Sequence, residues 1–396
     1  MGSQTPMTSL NQEVEVSIVM PCLNEADTLE ICIRKARKAL SAANVSHEII
    51  VADNGSTDGS LEIAQRMGVK VVNVAERGYG AALHRGIADA KGYYVIMGDA
   101  DDSYDYAEAL KFVEKLREGF DLVQGCRLPR GGGTILSGAM PWSHRWIGNP
   151  MFTFLVHWWF KAPIHDVYCG LRGFTKEWVA KLNLRCIGME YATEMIIKSR
   201  LRGARFAEVP ITLHPDGRKA HAPHLKTMRD GWRTLRFFLT YSPKWLFFVP
   251  GLFLILVGLI TYGVVYSGGQ VGHVVFDAHT LLVGSLAIMC GYQIVLFAVF
   301  SKIFAVNEEI LPKDPSLLQI FSFLTLERGI VCALLVILLG CGLLFGAANQ
   351  WREAAFGPLD YARTMRWVIP GITFVALGVQ SFFARFFISI LNMPHR

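Results

Sequence analysis

The chain has 396 residues, of which 52% are hydrophobic and 18% are charged, and its formal net charge is +6. Most of the charged residues lie before Lys244, whereas long apolar runs dominate the residues that follow. This division argues against a purely soluble protein. It predicts a soluble domain joined to a membrane domain, for which the length is sufficient.

The surplus of positive charge suits anionic membrane lipids, lipid phosphates and nucleotide diphosphates as partners. The sequence has no helix-turn-helix, zinc or RNA-binding signature, so we expect no nucleic-acid partner. Its eight cysteines include no CxxC pair and are typical of reduced thiols. The N-terminus lacks the basic region and apolar core of a signal peptide. We therefore expect residues 1–13 to be disordered and the first domain to be cytoplasmic.

Strands and helices alternate through the first part of the chain. Short β-branched runs predict strands, and apolar residues at helical spacing predict the helices between them. The predicted strands are Val14–Met20, His47–Ala52, Val69–Val74 and Tyr93–Met97, and the predicted helices are Glu25–Leu40, Leu61–Met67 and Gly80–Ala90. This alternation predicts an α/β domain over residues 14–224, with a mostly parallel sheet covered by helices on both faces.

Three polar or acidic clusters follow predicted strands. They are residues 21–25 (PCLNE), 52–58 (ADNGSTD) and 98–102 (GDADD). In open α/β sheets, ligands bind beyond the carboxyl ends of the strands. The three clusters therefore predict one shared binding site.

The third cluster carries two carboxylates, Asp99 and Asp101, separated by one residue. Both can reach a single divalent cation, and oxygen ligands suit Mg²⁺ or Mn²⁺, which keep sites open for diphosphate oxygens. An ordinary acidic turn is the alternative. Asn24, Glu25 and Asp53 in the other two clusters can hydrogen-bond the base and ribose of a nucleotide, or serve as turn and cap residues.

As an ordered set, these clusters are far more specific than any one of them. They resemble the motifs of family 2 glycosyltransferases of the GT-A fold. Further on, Gly125–Arg127, Gly131–Gly133, Arg145 with Gly148-Asn149, and Asp166–Arg172 are similar to the polyprenyl-phosphate branch, which includes dolichyl-phosphate mannose synthases. The resemblance spans roughly residues 14–244. It implies a Rossmann-like GT-A glycosyltransferase domain followed by an all-α transmembrane domain.

The resemblance also implies roles for the matching residues. Asp99 and Asp101 would hold the metal and the diphosphate, and Ser103 stands where relatives have a third metal contact. The residues that would bind the nucleotide sugar are Pro21, Asn24, Glu25, Asp53, Asp99, Ala100, Asp101 and Arg218, the last in a basic loop that would close over the diphosphate. Those that would bind the acceptor phosphate are Arg127, Arg145 and Asn149. The catalytic set would be Asp99, Asp101, Arg127 and Arg145.

The arginines also fit this chemistry on physical grounds, although each one alone equally suits a surface salt bridge. Planar guanidinium groups bind phosphate bidentately. A lipid phosphate has a second pKa of about 6, so it needs little deprotonation before it attacks a sugar. We therefore predict inverting transfer of a hexose from a GDP-mannose or UDP-glucose type of donor to dolichyl or undecaprenyl phosphate.

The rest of the chain predicts membrane attachment. Residues 225–244 form a basic amphipathic helix, which suits an anionic membrane surface or, alternatively, a solvated helix face. Four runs are long enough to span a bilayer, within residues 245–396: Trp245–Tyr266, Thr280–Ser301, Gly329–Trp351 and Trp367–Leu391. Lys302, Lys313 and Arg328 mark the loop between the second and third runs as cytoplasmic. This predicts a multi-pass membrane protein with a cytoplasmic catalytic domain.

Two other functions remain as alternatives. Processive polysaccharide synthases also join a GT-A domain to membrane helices, but they carry Gln-x-x-Arg-Trp and Thr-Glu-Asp motifs. Here Arg145-Trp146 has no Gln three positions before the Arg, and Thr193-Glu194 is followed by Met195. A non-enzymatic lipid carrier or scaffold would not need the intact carboxylates.

Overall fold

A computed structural model describes residues 13–219, 227–271, 273–308, 310–311 and 325–393. The chain divides into two compact units, Met1–Phe238 and Leu239–Arg396. The predicted disordered N-terminus, residues 1–13, lies outside the described residues except for Glu13. The first unit is an α/β domain and the second is mainly helical.

The first unit is built on a seven-stranded sheet with the strand order β3-β2-β1-β4-β7-β5-β8. Its strands are β1 (Val16–Cys22), β2 (His47–Asp53), β3 (Lys70–Asn73), β4 (Tyr94–Met97), β5 (Leu122–Cys126), β7 (Arg172–Thr175) and β8 (Phe206–Pro210). A small second sheet pairs β6 (Thr134–Ile135) with β9 (Thr212–Leu213). Neighbouring strands β1 to β4 are parallel, whereas β7 runs antiparallel to both β4 and β5. The prediction of a mostly parallel sheet is confirmed, with one reversed strand inserted.

Helices cover both faces of this sheet. The helices up to the first membrane span are α1 (Leu29–Ala42), α2 (Ser60–Arg66), α3 (Tyr79–Asp89), α4 (Ala109–Arg117), α5 (Asn149–Phe160), α6 (Lys176–Leu182), α7 (Tyr191–Leu201) and α8 (Thr227–Tyr241), of which six pack on the sheet. Apolar residues of α1, α2 and α4 form one core with one face of β1, and those of α3, α6 and α7 form a second core with the opposite face. The sheet therefore lies between two helical layers, and its carboxyl edge stays open for a site.

The α1 helix shows how the sequence pattern produces this packing. Its apolar residues recur every three or four positions, which places them on one side of the helix. The five residues predicted to face the core, Leu29, Cys32, Ile33, Ala36 and Leu40, are all buried. The helix begins at Leu29 rather than at the predicted Glu25, because the carbonyl of Glu25 accepts hydrogen bonds from the amides of Thr28 and Leu29 in a preceding turn.

Strand β1 extends past the predicted end and includes Pro21. It pairs with β2 along its whole length, but with β4 only over Val16 to Val19. Pro21 thus lies beyond the β4 ladder, where its missing backbone N–H costs no hydrogen bond. The strand therefore carries the chain two residues further toward the site.

The second unit contains four long helices: α9 (Val249–Tyr266), α10 (Ala278–Asn307), α11 (Leu326–Glu353) and α12 (Tyr361–Leu391). A short hairpin of β10 (Gln270–Val271) and β11 (Val274–Val275) separates the first two. The first span begins at Lys244, because it includes the turn that precedes α9. All four helices are long and apolar enough to cross a membrane, with mean hydropathies from 1.8 to 2.8. The prediction of four spanning helices is confirmed for the described residues.

Glycines bring these helices together. A Cβ atom added to Gly258 of α9 would lie 2.5 Å from the carbonyl oxygen of Gly284 of α10, which only a glycine backbone permits. Close approach through small residues is the usual basis of helix packing in membranes. The Arg385 side chain of α12 packs against Gly329 of α11, so it faces a partner helix.

Helix α8 falls within the predicted interfacial segment, although residues 225 and 226 lie outside the described residues. Its Met228 and Trp232 are exposed at 87% and 61%. Lys313, one of the residues that predicted membrane orientation, also lies outside the described part of the chain. The domain boundaries at 224 and 244 and the cytoplasmic orientation remain predictions.

Candidate active site

The loops that follow β1 and β2 are tied together by side-chain hydrogen bonds. The amide of Asn24 donates to Oγ of Ser56 at 2.9 Å, and the amide of Thr57 donates to Oδ1 of Asn24 at 2.8 Å. The amide of Glu25 donates to Oγ of Ser60 at 2.9 Å. Asn24 has a positive φ of 60°, a conformation that Asn tolerates better than most residues. The Asn24 side chain thus shapes the two loops into one wall.

Asp53 ends β2 and organises the second loop. Its carboxylate accepts hydrogen bonds from the amides of Gly55, at 2.9 Å, and Ser56, at 3.2 Å. Pro21 lies opposite Ala52 in the sheet register, one position before Asp53. Asp53 is therefore at the carboxyl edge, as predicted, with its side chain engaged in a local turn.

The acidic cluster after β4 contains carboxylates with different surroundings. Oδ1 of Asp101 accepts hydrogen bonds from the amide and hydroxyl of Ser103, at 3.0 and 2.6 Å. The carbonyl of Ala100 accepts a hydrogen bond of 2.7 Å from the hydroxyl of Thr28, which anchors the cluster to the first loop. Asp102 has a φ of 58° and forms an ion pair with Lys35 at 2.8 Å. Asp102 is thus directed to α1, while Ser103 supports Asp101.

Arg218 joins the first loop to the acidic cluster. Its Nε lies 2.8 Å from Oε2 of Glu25, and its Nη2 lies 2.9 Å from Oδ2 of Asp101. Nη1 lies 3.1 Å from Asp216. The side chains of Glu25, Asp101 and Arg218 are 6%, 13% and 10% exposed. Residues more than a hundred positions apart in sequence therefore face one small space.

The backbone of residues 214–219 holds Arg218 in place. The amide of Gly217 donates to the carbonyl of Asp101, and that of His214 to the carbonyl of Ser103, both at 2.9 Å. The amide of Lys219 donates to the carboxylate of Asp27 at 2.9 Å. This loop therefore lies along the acidic cluster. It is the basic loop that was predicted to close over the diphosphate.

Two carboxylates in this space, Glu25 and Asp99, retain protons more strongly than usual. Removal from water raises the pKa of Glu25 to about 7, against the opposing effect of Arg218, with a further rise from Asp101 and Asp99. Removal from water and the charge of Asp101 raise the pKa of Asp99 to about 6. Burial is therefore the main reason why Glu25 and Asp99 hold protons at pH values where exposed carboxylates are ionised.

Arg127 lies in a second, buried part of the site. Its Nε and Nη2 contact the two carboxylate oxygens of Asp166 at 2.7 and 2.8 Å, and the Arg127 and Asp166 side chains are 9% and 0% exposed. Nη1 lies 3.4 Å from the hydroxyl of Tyr104. That hydroxyl accepts a 2.8 Å hydrogen bond from the amide of Gly170. Two of the three donor nitrogens of Arg127 are therefore occupied by Asp166.

Gly170 connects the Arg127 region with Asp99. A Cβ atom added to Gly170 would lie 2.7 Å from Oδ2 of Asp99. Only glycine leaves room for the carboxylate there. The motif that contains Gly170 was identified from the sequence, but this contact was not.

Arg145 and Asn149 lie in a different environment, in the turn His144–Gly148 and at the start of α5. The Arg145 guanidinium lies 5.4 Å from the ring centre of Trp146, and Asn149 donates to the sulfur of Met140 at 3.3 Å. Both residues are partly exposed. Their role as acceptor-phosphate ligands therefore stays a prediction.

Tyr79 was not predicted as a site residue, and Asp166 was named only within the motif Asp166–Arg172, without a role. Tyr79 donates a hydrogen bond to Asp99, and Asp166 pairs with Arg127 from 39 positions away. The signal for Tyr79 was its place between Gly78 and Gly80, since paired glycines at a helix start indicate close backbone packing. Glu194 forms a buried ion pair with Lys198 at 2.7 Å.

Within the described residues, no group of three His, Cys, Asp or Glu side chains is arranged to hold a metal ion. The donor set that remains is a pair of carboxylates, Asp99 and Asp101, with Ser103 beside the second. Oxygen donors with excess negative charge suit a hard divalent cation that takes its other ligands from a diphosphate. The residues present therefore fit Mg²⁺ or Mn²⁺ bound together with a nucleotide.

Comparisons with known proteins identify relatives of both units. A model of glycosyl transferase family 2 matches residues 17–182, and one of the glycosyltransferase family 2 C-terminal transmembrane region matches residues 299–392. The chain is 34% identical, over 380 residues, to the low-salt glycan biosynthesis hexosyltransferase Agl6 of Haloferax volcanii. The matched region is 95% of this chain and 89% of that protein.

Two further matches cover a smaller part of the chain. A dolichyl-phosphate hexose transferase of Haloferax volcanii is 31% identical over 168 residues, which is 41% of this chain and 68% of that protein. A crystal structure of glucosyl-3-phosphoglycerate synthase from Mycobacterium tuberculosis, in complex with Mn²⁺, uridine diphosphate and glucosyl-3-phosphoglycerate, has a TM-score of 0.45 and 20% identity. It covers 59% of this chain and 84% of that chain.

Proposed function

Because this chain belongs to glycosyltransferase family 2 and is a glycosyltransferase with a C-terminal transmembrane region, we propose that its substrates are a nucleotide-diphosphate sugar and a polyprenyl phosphate. The reaction transfers a hexose to the lipid phosphate at the cytoplasmic face of the membrane and releases the nucleoside diphosphate. The relatives named as hexosyltransferases support the hexose, and the dolichyl-phosphate relative supports the acceptor.

The observation that carries this proposal is the double ion pair of Arg218 with Glu25 and Asp101. It shows that the loop expected to contact the nucleoside and the cluster expected to contact the diphosphate share one space. A nucleoside diphosphate carries its diphosphate directly next to the ribose and base. One such ligand can therefore contact the loop and the cluster at the same time. In the proposed complex, Arg218 exchanges its carboxylate partners for diphosphate oxygens, which guanidinium groups bind well.

Asp99 and Asp101 would hold the divalent cation. The pKa of Asp99 is raised mainly by burial and further by the charge of Asp101, and a bound cation would favour the ionised form of Asp99. When bound, Mg²⁺ or Mn²⁺ supplies positive charge to the departing diphosphate. Ser103 would act by orienting Asp101, since its amide and hydroxyl both donate to Oδ1.

For the acceptor, we propose that Arg127, Arg145 and Asn149 hold the lipid phosphate. Asp166 fixes the orientation of Arg127 and leaves its Nη1 edge, beside Tyr104, to meet a phosphate oxygen. The phosphate is nearly dianionic at neutral pH, so it can attack the sugar without a strong general base. Attack opposite the departing diphosphate inverts the anomeric carbon.

A donor panel tests this function. The full chain, reconstituted in vesicles with polyprenyl phosphate, is incubated with labelled GDP-mannose, UDP-glucose and related donors, with and without Mn²⁺. We expect label from at least one donor to enter the organic phase as a lipid carrying a single sugar, and only with the divalent cation. Vesicles without polyprenyl phosphate are the control.

The outcome separates the alternatives. Label in a long water-soluble polymer would indicate a processive synthase, and the proposed acceptor would be wrong. Absence of organic-phase product from every donor would contradict the proposal as a whole.

A further inference from the structure

The first unit exposes a row of large apolar side chains on the segment that contains α5. Its members, which we call the tryptophan face, are Trp142 (68% exposed), Trp146 (61%), Ile147 (53%), Met151 (45%), Phe154 (60%) and Trp158 (51%). The rings of Phe154 and Trp158 stack at 5.9 Å between their centres. Isolated exposed apolar residues are normal, but a contiguous patch of aromatic residues marks an interaction surface.

The opposite side of α5 is firmly packed. Phe152, Val156 and Phe160 are 8%, 0% and 7% exposed. The segment from Trp146 to Phe160 contains no Asp, Glu, Lys or Arg, and its exposed side is mainly apolar, with His157 as an exposed polar residue. A large exposed apolar face on a helix is normally covered by a partner. Because the inner side is fixed in the domain, only the tryptophan face is left for a partner.

We propose that the tryptophan face lies in the interfacial region of a lipid bilayer and docks the first unit on the membrane. Tryptophan is enriched at this depth, because its ring is apolar while its N–H reaches polar headgroups. The face carries three tryptophans and one phenylalanine, all at least half exposed. Amphipathic surfaces of this composition bury their apolar side at the boundary between headgroups and acyl chains.

The charge around the face favours a bilayer with anionic lipids. The sequence has no Asp or Glu between Asp121 and Asp166, whereas it has Arg130, Arg145 and Lys161 in that interval. Lys161 follows the last turn of α5 and is exposed. Basic side chains that flank an apolar face attract anionic headgroups.

The packing of α5 also argues for a bilayer rather than a soluble partner. Phe152 and Phe160 contact the ring of Phe238 in α8, with ring centres 5.9 and 6.2 Å apart. Phe238 precedes the first membrane-spanning helix, which begins at Lys244, by six residues. Trp232 of α8 is itself 61% exposed. Helix α5 is therefore attached to the segment of chain that leads into the membrane.

The tryptophan face also explains why two of the proposed acceptor-phosphate ligands lie on this segment. Arg145 and Asn149 lie in the same segment as Trp146 and Met151. If the proposed acceptor is right, its phosphate meets these side chains while its hydrocarbon chain stays in the bilayer. The membrane contact itself does not depend on that reaction.

Photocrosslinking in the full chain tests the contact. Benzoylphenylalanine is placed at Phe154, at Trp158 or, as a control, at Tyr93, an aromatic residue that is 59% exposed at the start of β4. Each protein is reconstituted in vesicles of equal parts phosphatidylcholine and phosphatidylglycerol and irradiated. We expect positions 154 and 158 to give severalfold more lipid adduct than position 93, measured by mass spectrometry of the labelled peptides.

Two outcomes would overturn the inference. One is an equal yield of lipid adduct at positions 93, 154 and 158. The other is that positions 154 and 158 link to protein, either a second copy of the chain or residues 239–396 of the same chain, in place of lipid. Because the readout does not use sugar transfer, it stays informative whether or not the proposed function holds.

Discussion

The hydroxyl of Tyr79 donates a hydrogen bond of 2.8 Å to Oδ1 of Asp99. Tyr79 is the first residue of α3, and its two neighbours are glycines that pack on a loop backbone. A Cβ atom at Gly80 would lie 2.6 Å from the carbonyl of Cys186, and one at Gly78 would overlap the carbonyl of Ile187. The loop thus fixes the start of α3, and Tyr79 in turn orients a proposed metal ligand.

We predict that Tyr79→Phe weakens the activation of sugar transfer by Mn²⁺ about tenfold, because groups that orient metal ligands typically contribute 10- to 100-fold to metal affinity. The measurement is the initial rate against Mn²⁺ concentration. The matched control is Tyr93→Phe, which removes an exposed hydroxyl away from the site. An unchanged Mn²⁺ dependence in Tyr79→Phe would contradict the orienting role.

The second prediction concerns Arg218. In Arg218→Gln, Glu25 and Asp101 lose their shared cation, so Mn²⁺ alone should bind severalfold more tightly than it does to the wild type. Turnover should fall, by roughly 100-fold, because one charge-stabilising donor to the departing diphosphate is lost. Titration calorimetry with Mn²⁺ and initial-rate assays measure the two effects separately.

Arg34→Gln is the control for this pair of measurements. Arg34 is 69% exposed and pairs with Glu30 on the surface of α1, so its loss should change neither quantity. If Arg218→Gln also leaves the Mn²⁺ affinity unchanged, Arg218 and the cation do not compete for the same carboxylates.

The third prediction is a pH dependence of cation binding. Asp99, with a pKa raised to about 6, and Glu25, with a pKa raised to about 7, are largely protonated below those values. A bound cation must displace the proton of Asp99, and ionised Glu25 adds negative charge to the site, so Mn²⁺ affinity should rise with pH and level off above about 7. Calorimetry between pH 5 and 8 measures it, and an affinity independent of pH would contradict the assignment.

The same pKa values have a consequence for stability. The folded protein holds these protons more tightly than the unfolded chain, in which Asp and Glu titrate near their ordinary values of 3.8 and 4.5. The metal-free protein should therefore lose stability as the pH rises from about 4 to 7. Saturating Mn²⁺ should reduce this loss, which thermal denaturation with and without the cation would show.

Much of the fold follows from local patterns in the sequence. The spacing of Leu29, Ile33 and Leu40 determines the buried side of α1, and the polar residues after each strand mark the carboxyl edge of the sheet. Strand β7 was not predicted, because Arg172–Thr175 is short and its antiparallel place between β4 and β5 depends on contacts with distant residues. The four apolar runs were clear, since bilayer thickness requires long uninterrupted stretches.

The residues of the candidate site were easier to predict from the sequence than the contacts between them. Asp101 and Glu25 were identified from motifs, but their common partner Arg218 lies 193 positions from Glu25. Arg127 was expected to meet a phosphate, and its buried pairing with Asp166 depends on how β5 packs against a later loop. Such long-range pairs depend on the tertiary structure, which local sequence patterns do not predict.

The fourth prediction concerns that buried pair. Asp166→Ala would leave the guanidinium of Arg127 buried without its carboxylate, which typically costs about 3 to 5 kcal/mol. Thermal denaturation of the full chain should show a clear drop in the melting temperature. Asp89→Ala is the control, because Asp89 pairs with Arg85, which is 60% exposed, and should change stability by less than about 1 kcal/mol. Equal melting temperatures for both variants would contradict a structural role for Asp166.

Two neighbouring carboxylates of the acidic cluster, Asp101 and Asp102, can be compared directly. Oδ2 of Asp101 faces Arg218 in the site, whereas Asp102 is directed away to Lys35. Both can be changed to Asn, which keeps the size of the side chain and tolerates the positive φ of Asp102. The two variants therefore differ mainly in which carboxylate is lost.

The most direct measurement is the rate at which each variant, reconstituted with polyprenyl phosphate, converts the accepted donor to organic-phase product in saturating Mn²⁺. We predict that Asp101→Asn gives no measurable product while it still inserts into membranes, and that Asp102→Asn stays within a few fold of the wild type. A near-normal rate for Asp101→Asn would contradict the claim that this carboxylate binds the cation and the departing diphosphate.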